Sequence, residues 1–264
     1  MKISGLEKLT LTDFPGHLAA ILFLEGCNFR CPFCQNSSLV LPHRESESLS
    51  PQHMTNPDIP LDSVLAFLKK RSGLLDGVCI SGGEPTLHHD LPELIRQIRD
   101  LGYLVKLDTN GTNPEMLQAL LEADLLDYVA MDIKTGRNHY GAVAGLSLSQ
   151  EMFHTSSGSE HDEESKIEQT LSAVQKSVNL LMNSSVIYEF RTTVVKGLHK
   201  EEDFIDISDW IKGCPRYFLQ SFRDCDSVLM KNHCFSAFSE IEMHHFLDLV
   251  KKNIPGAAIR GDEE

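Results

Sequence analysis

The chain has no apolar run approaching the roughly 20 residues that a membrane-spanning helix needs, so no segment is expected to cross a bilayer. Its start, Met1-Lys2-Ile3-Ser4-Gly5, lacks the uninterrupted apolar core of a secretory signal, which points to the cytoplasm. Positive charge is also scarce: 24 Lys and Arg stand against 38 Asp and Glu, a formal net charge of −14. Such a surface repels phosphate backbones and anionic lipid, so neither nucleic acid nor a membrane is an expected partner. No internal repeat stands out at a solenoid period.

Seven cysteines are present, an odd number, and in a reducing compartment clustered cysteines read as metal ligands before disulfides. Three of them, Cys27, Cys31 and Cys34, fall within eight residues as C-x3-C-x2-C. A closed structural zinc site takes four protein ligands, and a cubane that only carries electrons takes four cysteines. Three thiolates on one short loop therefore describe a metal site with an open position. A zinc knuckle completed by His17 or His43 is the alternative. Cys214, Cys225 and Cys234 match no tight ligand spacing and read as unrelated free thiols, and Cys79 lies within an apolar run as a small buried residue.

Apolar, β-branched runs alternate with amphipathic segments, the pattern of repeated βα units in a parallel sheet. Strands are expected at Leu18 to Leu24, Gly77 to Ser81, Tyr103 to Asp108, Tyr128 to Asp132, Val186 to Val194 and Tyr217 to Gln220. Helices are expected near Leu61 to Arg71, Leu91 to Leu101, Pro114 to Ala123 (capped by Asn113), Ile167 to Met182, Glu202 to Lys212 and Ser239 to Lys252. Six strands suit a partial (β/α)6 barrel, and residues 1–264 read as one domain. Residues 43–60 and 147–165 are too polar for a core and read as loops. The pairs His88-His89 and His244-His245 read as surface residues, and the acidic end at Gly261 to Glu264 as a solvated tail.

Parallel α/β sheets bind ligands at the carboxyl ends of their strands. The cysteine loop follows the first expected strand, Ser81-Gly82-Gly83-Glu84-Pro85 the second, Asp108-Thr109-Asn110-Gly111 the third and Asp132-Ile133-Lys134 the fourth, while Arg191 lies in the fifth and Gln220 ends the sixth. Taken singly, each has a plainer reading: Gly82-Gly83 as a turn, Asp108 and Asp132 as strand ends or caps, Lys134 as a solvated charge, Arg191 as a salt bridge and Gln220 as a strand-end hydrogen bond.

The cysteine loop with an aromatic before its last cysteine, followed by Gly-Gly-Glu-Pro, resembles the radical S-adenosylmethionine (SAM) superfamily. Leu11-Thr12-Asp13-Phe14-Pro15-Gly16, Gly26 to Cys31, Ala130 to Lys134 and Glu189 to Val195 resemble the glycyl-radical-enzyme activases, and among these the anaerobic ribonucleoside-triphosphate reductase activating proteins. The resemblance implies that Cys27, Cys31 and Cys34 hold one [4Fe-4S] cluster whose fourth iron chelates SAM. It implies Phe33 near the adenine, Gly82 and Gly83 approaching the ligand through their backbone, and Glu84 accepting from the SAM amino group. Asp108, Thr109 and Asp132 match positions around a monovalent cation in the pyruvate formate-lyase activase branch, and Lys134 a SAM contact there; Arg191 and Gln220 would add polar contacts.

The implied activity is reductive cleavage of SAM followed by hydrogen abstraction from a backbone glycine of a partner, anaerobic ribonucleoside-triphosphate reductase or another glycyl radical enzyme such as pyruvate formate-lyase. Flavodoxin or ferredoxin would supply the electron, since residues 43–60 hold no cysteines for a second cluster. A small-molecule radical SAM enzyme would share the cluster and SAM residues. A simple iron–sulfur electron carrier would gain nothing from an open iron.

Overall fold

The computed structural model describes residues 1–40, 57–146, 160–230 and 235–262. His43, Cys234, Glu263, Glu264 and most of the two polar segments lie outside the described residues. All six expected strands form, as β2 (Ala19–Leu24), β3 (Gly77–Gly82), β4 (Leu104–Thr109), β5 (Tyr128–Asp132), β6 (Ile187–Val194) and β7 (Tyr217–Ser221). They pair in chain order and in parallel, with Ile21 beside Cys79, Cys79 beside Lys106 and Asp132 beside Arg191. Two further strands flank them: β1 (Ile3–Thr10), antiparallel to β2, and β8 (Ala257–Ile259), parallel to β7. Glu7 and Lys8 interrupt the apolar pattern of β1, and three residues are too few to give β8 one.

Ile21, Ser81, Asp108, Asp132, Arg191 and Gln220, one from each of β2 to β7, line a single cavity. In a flat sheet β2 and β7 would stand about 24 Å apart, five spacings of roughly 4.8 Å. The sheet is therefore curled around the cavity, and its edges, β1 and β8, are not paired to each other among the described residues. This is the expected partial barrel.

The helices are α1 (Ser37–Val40) and α5 (Tyr140–Val143), short turns near the cysteine loop, and the longer α2 (Leu61–Arg71), α3 (Leu91–Asp100), α4 (Pro114–Glu122), α6 (Glu160–Met182), α7 (Glu201–Trp210) and α8 (Glu240–Lys251). Leu91, Leu94, Ile95 and Ile98 put one buried stripe of α3 into the same apolar cluster as Val78, Ile80, Val105 and Leu107. Asn113 caps α4 as expected, its Oδ1 accepting from Met116 N at 3.1 Å. The polar segment 147–165 is corrected at its end, because residues 160–165 already belong to α6. Asp162, Glu163 and Glu164 carry no apolar stripe, yet acidic residues favour a helix N-terminus through the peptide dipoles.

Strand alternation sends the other set of side chains inward. Lys106, Asp108, Tyr128, Glu189 and Arg191 share hydrogen bonds and ion pairs there. Phe14, from the β1–β2 loop, closes the end opposite the cysteine loop: it is buried with Ala19, Tyr128 and Ala130. Gly77 makes room for it, since a Cβ on Gly77 would lie 2.7 Å from the Phe14 ring.

Candidate functional site

Each of the residues singled out from the sequence lines the same cavity: Cys27, Cys31, Phe33, Cys34, Gly82, Gly83, Glu84, Asp108, Thr109, Asp132, Lys134, Arg191 and Gln220. The cysteine loop leaves β2 and is fastened by backbone bonds on several sides. Gly26 N donates to Leu39 O at 2.7 Å and Arg30 N to Ala144 O at 3.0 Å, while Leu229 N and Met230 N donate to Cys34 O and Pro32 O, each at 2.9 Å. Arg30 folds back so that one Nη donates to Cys27 O at 2.7 Å and Phe29 O at 2.9 Å. Burial pushes the Cys27 thiol up to about 11 and the Cys31 thiol up to about 12, and raises Cys34 as well. The three thiols hold their protons at neutral pH until a metal displaces them.

The Gly-Gly-Glu turn lines the cavity and also packs against the backbone that enters the cysteine loop. A Cβ on Gly82 would meet Leu24 O at 2.2 Å, and one on Gly83 would meet Gly26 O at 2.0 Å. The glycines therefore admit the backbone entering the cysteine loop, and the bonds Gly83 N to Leu24 O (2.9 Å) and Glu84 N to Gly26 O (2.7 Å) seal that contact. Glu84 is fully buried and accepts four donors: Thr86 N at 3.1 Å, Thr86 Oγ1 at 2.5 Å, Thr109 Oγ1 at 2.7 Å and Asn110 N at 2.6 Å. Burial raises its carboxyl pKa despite those donors. Three of these donors fall on Oε1 and one, Asn110 N, on Oε2, so Oε2, on a residue that lines the cavity, keeps room for one further donor.

The floor of the cavity is an ion ladder. The Arg191 guanidinium bridges Asp132 through Nε and Asp108 through an Nη at 3.2 Å. Lys106 pairs with Asp108, Lys134 with Asp132 at 2.8 Å, and Ser81 Oγ donates to Asp108 at 3.0 Å. Burial by itself would raise both carboxyls, but the facing cations outweigh it and hold Asp108 and Asp132 below the usual range, Asp132 far below. For Lys134 the burial that favours the neutral amine is outweighed by Asp132. Gln220 is half-buried at the end of β7.

Supporting residues carry no motif of their own. Asn28, inside the cysteine loop, donates to Thr112 Oγ1 at 2.7 Å and accepts from Asn110 Nδ2 at 2.9 Å, tying the loop to the end of β4. His199 is buried with its Nε2 2.8 Å from Lys134 O, and its ring meets Phe33 edge-on with centroids 6.4 Å apart. The Asp-Thr-Asn-Gly stretch hinted at Asn110, but nothing in the pattern marked His199 or the strap at Leu229 and Met230.

A family model described as the Radical SAM superfamily matches residues 21–207, most of the chain, from within β2 through the whole of β3 to β6. The chain belongs to the radical SAM superfamily. A Methanocaldococcus jannaschii chain, whose name proposes a glycyl-radical enzyme activating enzyme, is 32% identical over 98% of this chain and 95% of its own length. The 7-carboxy-7-deazaguanine synthase of Aquifex aeolicus is 35% identical over 34% of each chain. Among solved structures, TYW1 with a lysine-pyruvate adduct bound superposes with a TM-score of 0.55 at 14% identity, covering 89% of this chain and 74% of that one, and this likeness concerns the fold alone.

The radical SAM superfamily implies a [4Fe-4S] cluster and SAM, and the residues present fit the cluster. The thiols of Cys27, Cys31 and Cys34 all reach one cavity, yet no three His, Cys, Asp or Glu side chains among the described residues converge on a point that one ion would occupy. A cubane accepts that spread because each thiolate binds a different iron. Of the two histidines that could complete a zinc site, His17 packs on Phe14 at the opposite end of the barrel, and His43 lies outside the described residues. Tyr140 OH is fully buried, donates its proton to no acceptor among the described residues and lies within electrostatic reach of Cys31 and Lys134, a donor to spare beside the cluster position. The monovalent cation does not fit, because its expected carboxylates are already bridged by Arg191.

Cys79 is buried as expected, though it faces Lys106 Nζ at 3.7 Å inside the barrel and not the apolar layer outside it. Cys214 and Cys225 are free thiols, the first buried and the second exposed. His244 and His245 are exposed, whereas His88 is half-buried with its Nε2 2.9 Å from Glu25 O. No helix among the described residues is long and apolar enough to cross a membrane.

Proposed function

We propose that this radical SAM enzyme is a glycyl-radical-enzyme activase whose substrate is a backbone glycine of anaerobic ribonucleoside-triphosphate reductase, acting through one domain that spans residues 1–264. The observation that carries the activase reading is the likeness, over nearly the whole of both chains, to a relative named for that activity. The choice of reductase over pyruvate formate-lyase rests on Leu11 to Gly16 and Glu189 to Val195. Bound at Cys27, Cys31 and Cys34, a reduced [4Fe-4S] cluster would cleave SAM to methionine and a 5′-deoxyadenosyl radical able to take a hydrogen from a glycine Cα.

The chain's own part is to bind, orient and exclude. Phe33, buried between the cysteines and His199, offers an apolar wall for the adenine. Lys134, whose ammonium stays charged, and Gln220 line the same cavity and would meet the polar groups of SAM. Because a primary carbon radical attacks almost any C–H bond, both reactants must be held in register away from water. The edge strands β1 and β8, not paired to each other among the described residues, would leave a side entrance for a protein loop. Cys27 and Cys34 are only partly buried, which suits electron entry from flavodoxin or ferredoxin.

The test is anaerobic mixing of the reduced, iron-loaded protein with SAM and each candidate glycyl radical enzyme. A doublet glycyl signal in electron paramagnetic resonance with the ribonucleotide reductase is the expected result. A signal only with another enzyme reassigns the partner. A silent spectrum despite SAM cleavage points to a small substrate, the reading favoured by the partial likeness to the deazaguanine synthase.

A further inference from the structure

The two carboxylates that the resemblance assigns to an alkali cation are engaged by the chain itself. Arg191 on β6 stands beside Asp132 on β5, and its planar fork reaches across to Asp108 on β4. One Asp108 oxygen takes Lys106, and the other takes Ser81 Oγ and the Arg191 Nη. One Asp132 oxygen takes Arg191 Nε and the other Lys134 Nζ. All four oxygens thus carry a donor. Thr109, the third expected ligand, donates its proton to Glu84 Oε1 at 2.7 Å and accepts from Gly111 N at 3.1 Å.

A hard cation is held by several oxygens that are free to turn toward it. Here it would have to displace a guanidinium tethered to a strand and would add its charge to three fixed cations, Lys106, Lys134 and Arg191, facing two carboxylates. At these largely buried positions Coulomb repulsion is weakly screened. A guanidinium also spans two carboxylates in a fixed geometry that a point charge does not impose. We propose that Arg191 is a built-in countercharge occupying the place of an alkali cation, so that this chain binds and cleaves SAM without one. The inference rests on the radical SAM reading of the site.

The test compares choline, sodium and potassium chloride at equal ionic strength. The wild-type protein, loaded with iron, should form methionine and 5′-deoxyadenosine at rates within about twofold in the three salts; acceleration by one alkali ion of more than about tenfold overturns the proposal. Arg191→Ala should lose at least about tenfold in choline and recover in potassium or sodium, and failure of both ions to restore it overturns the proposal.

Melting of the metal-free protein gives a readout independent of activity. Wild type should melt alike in all three salts, while Arg191→Ala, or Arg191→Gln should the alanine variant not fold, should melt higher in an alkali salt than in choline, because an ion bound only by the folded state stabilises it. Arg191→Lys, which keeps a charge, should stay indifferent to the salt. A wild type stabilised by one alkali ion, or charge-free variants blind to all of them, sinks the idea. Loaded wild type that cleaves no SAM in any salt instead refutes the superfamily-based reading, and the melting curves still judge Arg191.

Discussion

Glu84 accepts the Asn110 backbone N–H at 2.6 Å, joining the end of β3 to the turn after β4. The same carboxylate holds Thr109 and Thr86, so one buried charge aligns two strand ends beneath the cysteine loop. Glu84→Gln replaces an acceptor by an amide NH2 facing donors. It should lower unfolding free energy by about 3 kcal/mol and weaken SAM binding, as measured by urea denaturation and by equilibrium dialysis of the loaded protein. Unchanged stability would show that Glu84 does not organise these turns.

Gly83→Ala tests how β3 packs on the cysteine loop. The added Cβ would lie 2.0 Å from Gly26 O, and carbonyl backbone cannot yield as a side-chain tip can. The variant should fold with a loss of about 1–3 kcal/mol and retain less iron after reconstitution, because the loop carrying Cys27 must move. Full iron loading would mean that the loop adjusts freely.

Where the sequence was legible, a local pattern coincided with a tertiary demand. The strands β2 to β7 announce themselves because apolar runs fill their outer faces, and the polar residues at their ends converge because parallel strands present their carboxyl ends together. What the pattern left dark is pairing between distant polar groups. Nothing local says that Arg191 closes on Asp108, that Thr109 turns to Glu84, or that Phe14 fills the space Gly77 leaves. These depend on how far the sheet curls, which no single segment encodes. The acidic start of α6 was missed for the complementary reason: charge near a helix dipole, and not an apolar stripe, marks it.

Phe14→Ala removes the ring that closes the far end of the barrel. A buried phenylalanine truncated to alanine loses about 3–5 kcal/mol, and Phe14 is only 2% exposed. The urea midpoint should fall accordingly. Iron bound per folded chain should not change, since the plug and the cysteine loop stand at opposite ends of β2.

The Asp132–Arg191 pair sets an acid limb of stability. Asp132 ionises at lower pH in the folded protein than in the unfolded chain, where an aspartate titrates near about 3.9. Between those two values the unfolded chain binds more protons, so stability is fully present above about 4 and falls as pH drops toward the folded value. Asp132→Asn should be destabilised at neutral pH by about 2 kcal/mol or more and should show a shallower decline between about pH 4 and pH 2. Urea midpoints of the metal-free proteins across that range check the slope, and parallel curves for the two would count against the pairing.

The cysteines divide by position, and a substitution series should divide the same way. Cys31→Ala removes one of three thiols lining the cavity, and the protein should bind little iron and cleave no SAM under dithionite. Cys79→Ala removes a thiol enclosed beside Lys106, and Cys214→Ala and Cys225→Ala remove thiols outside the cavity lining. These three should retain the iron of one cluster per chain, with Cys79→Ala and Cys214→Ala carrying a stability cost of about 1 kcal/mol for the cavity each leaves. Iron analysis and Mössbauer spectra of all four variants decide the matter. A Cys31→Ala protein with full turnover would overturn the assigned cluster site, and iron loss on removing Cys214 or Cys225 would require a second metal centre.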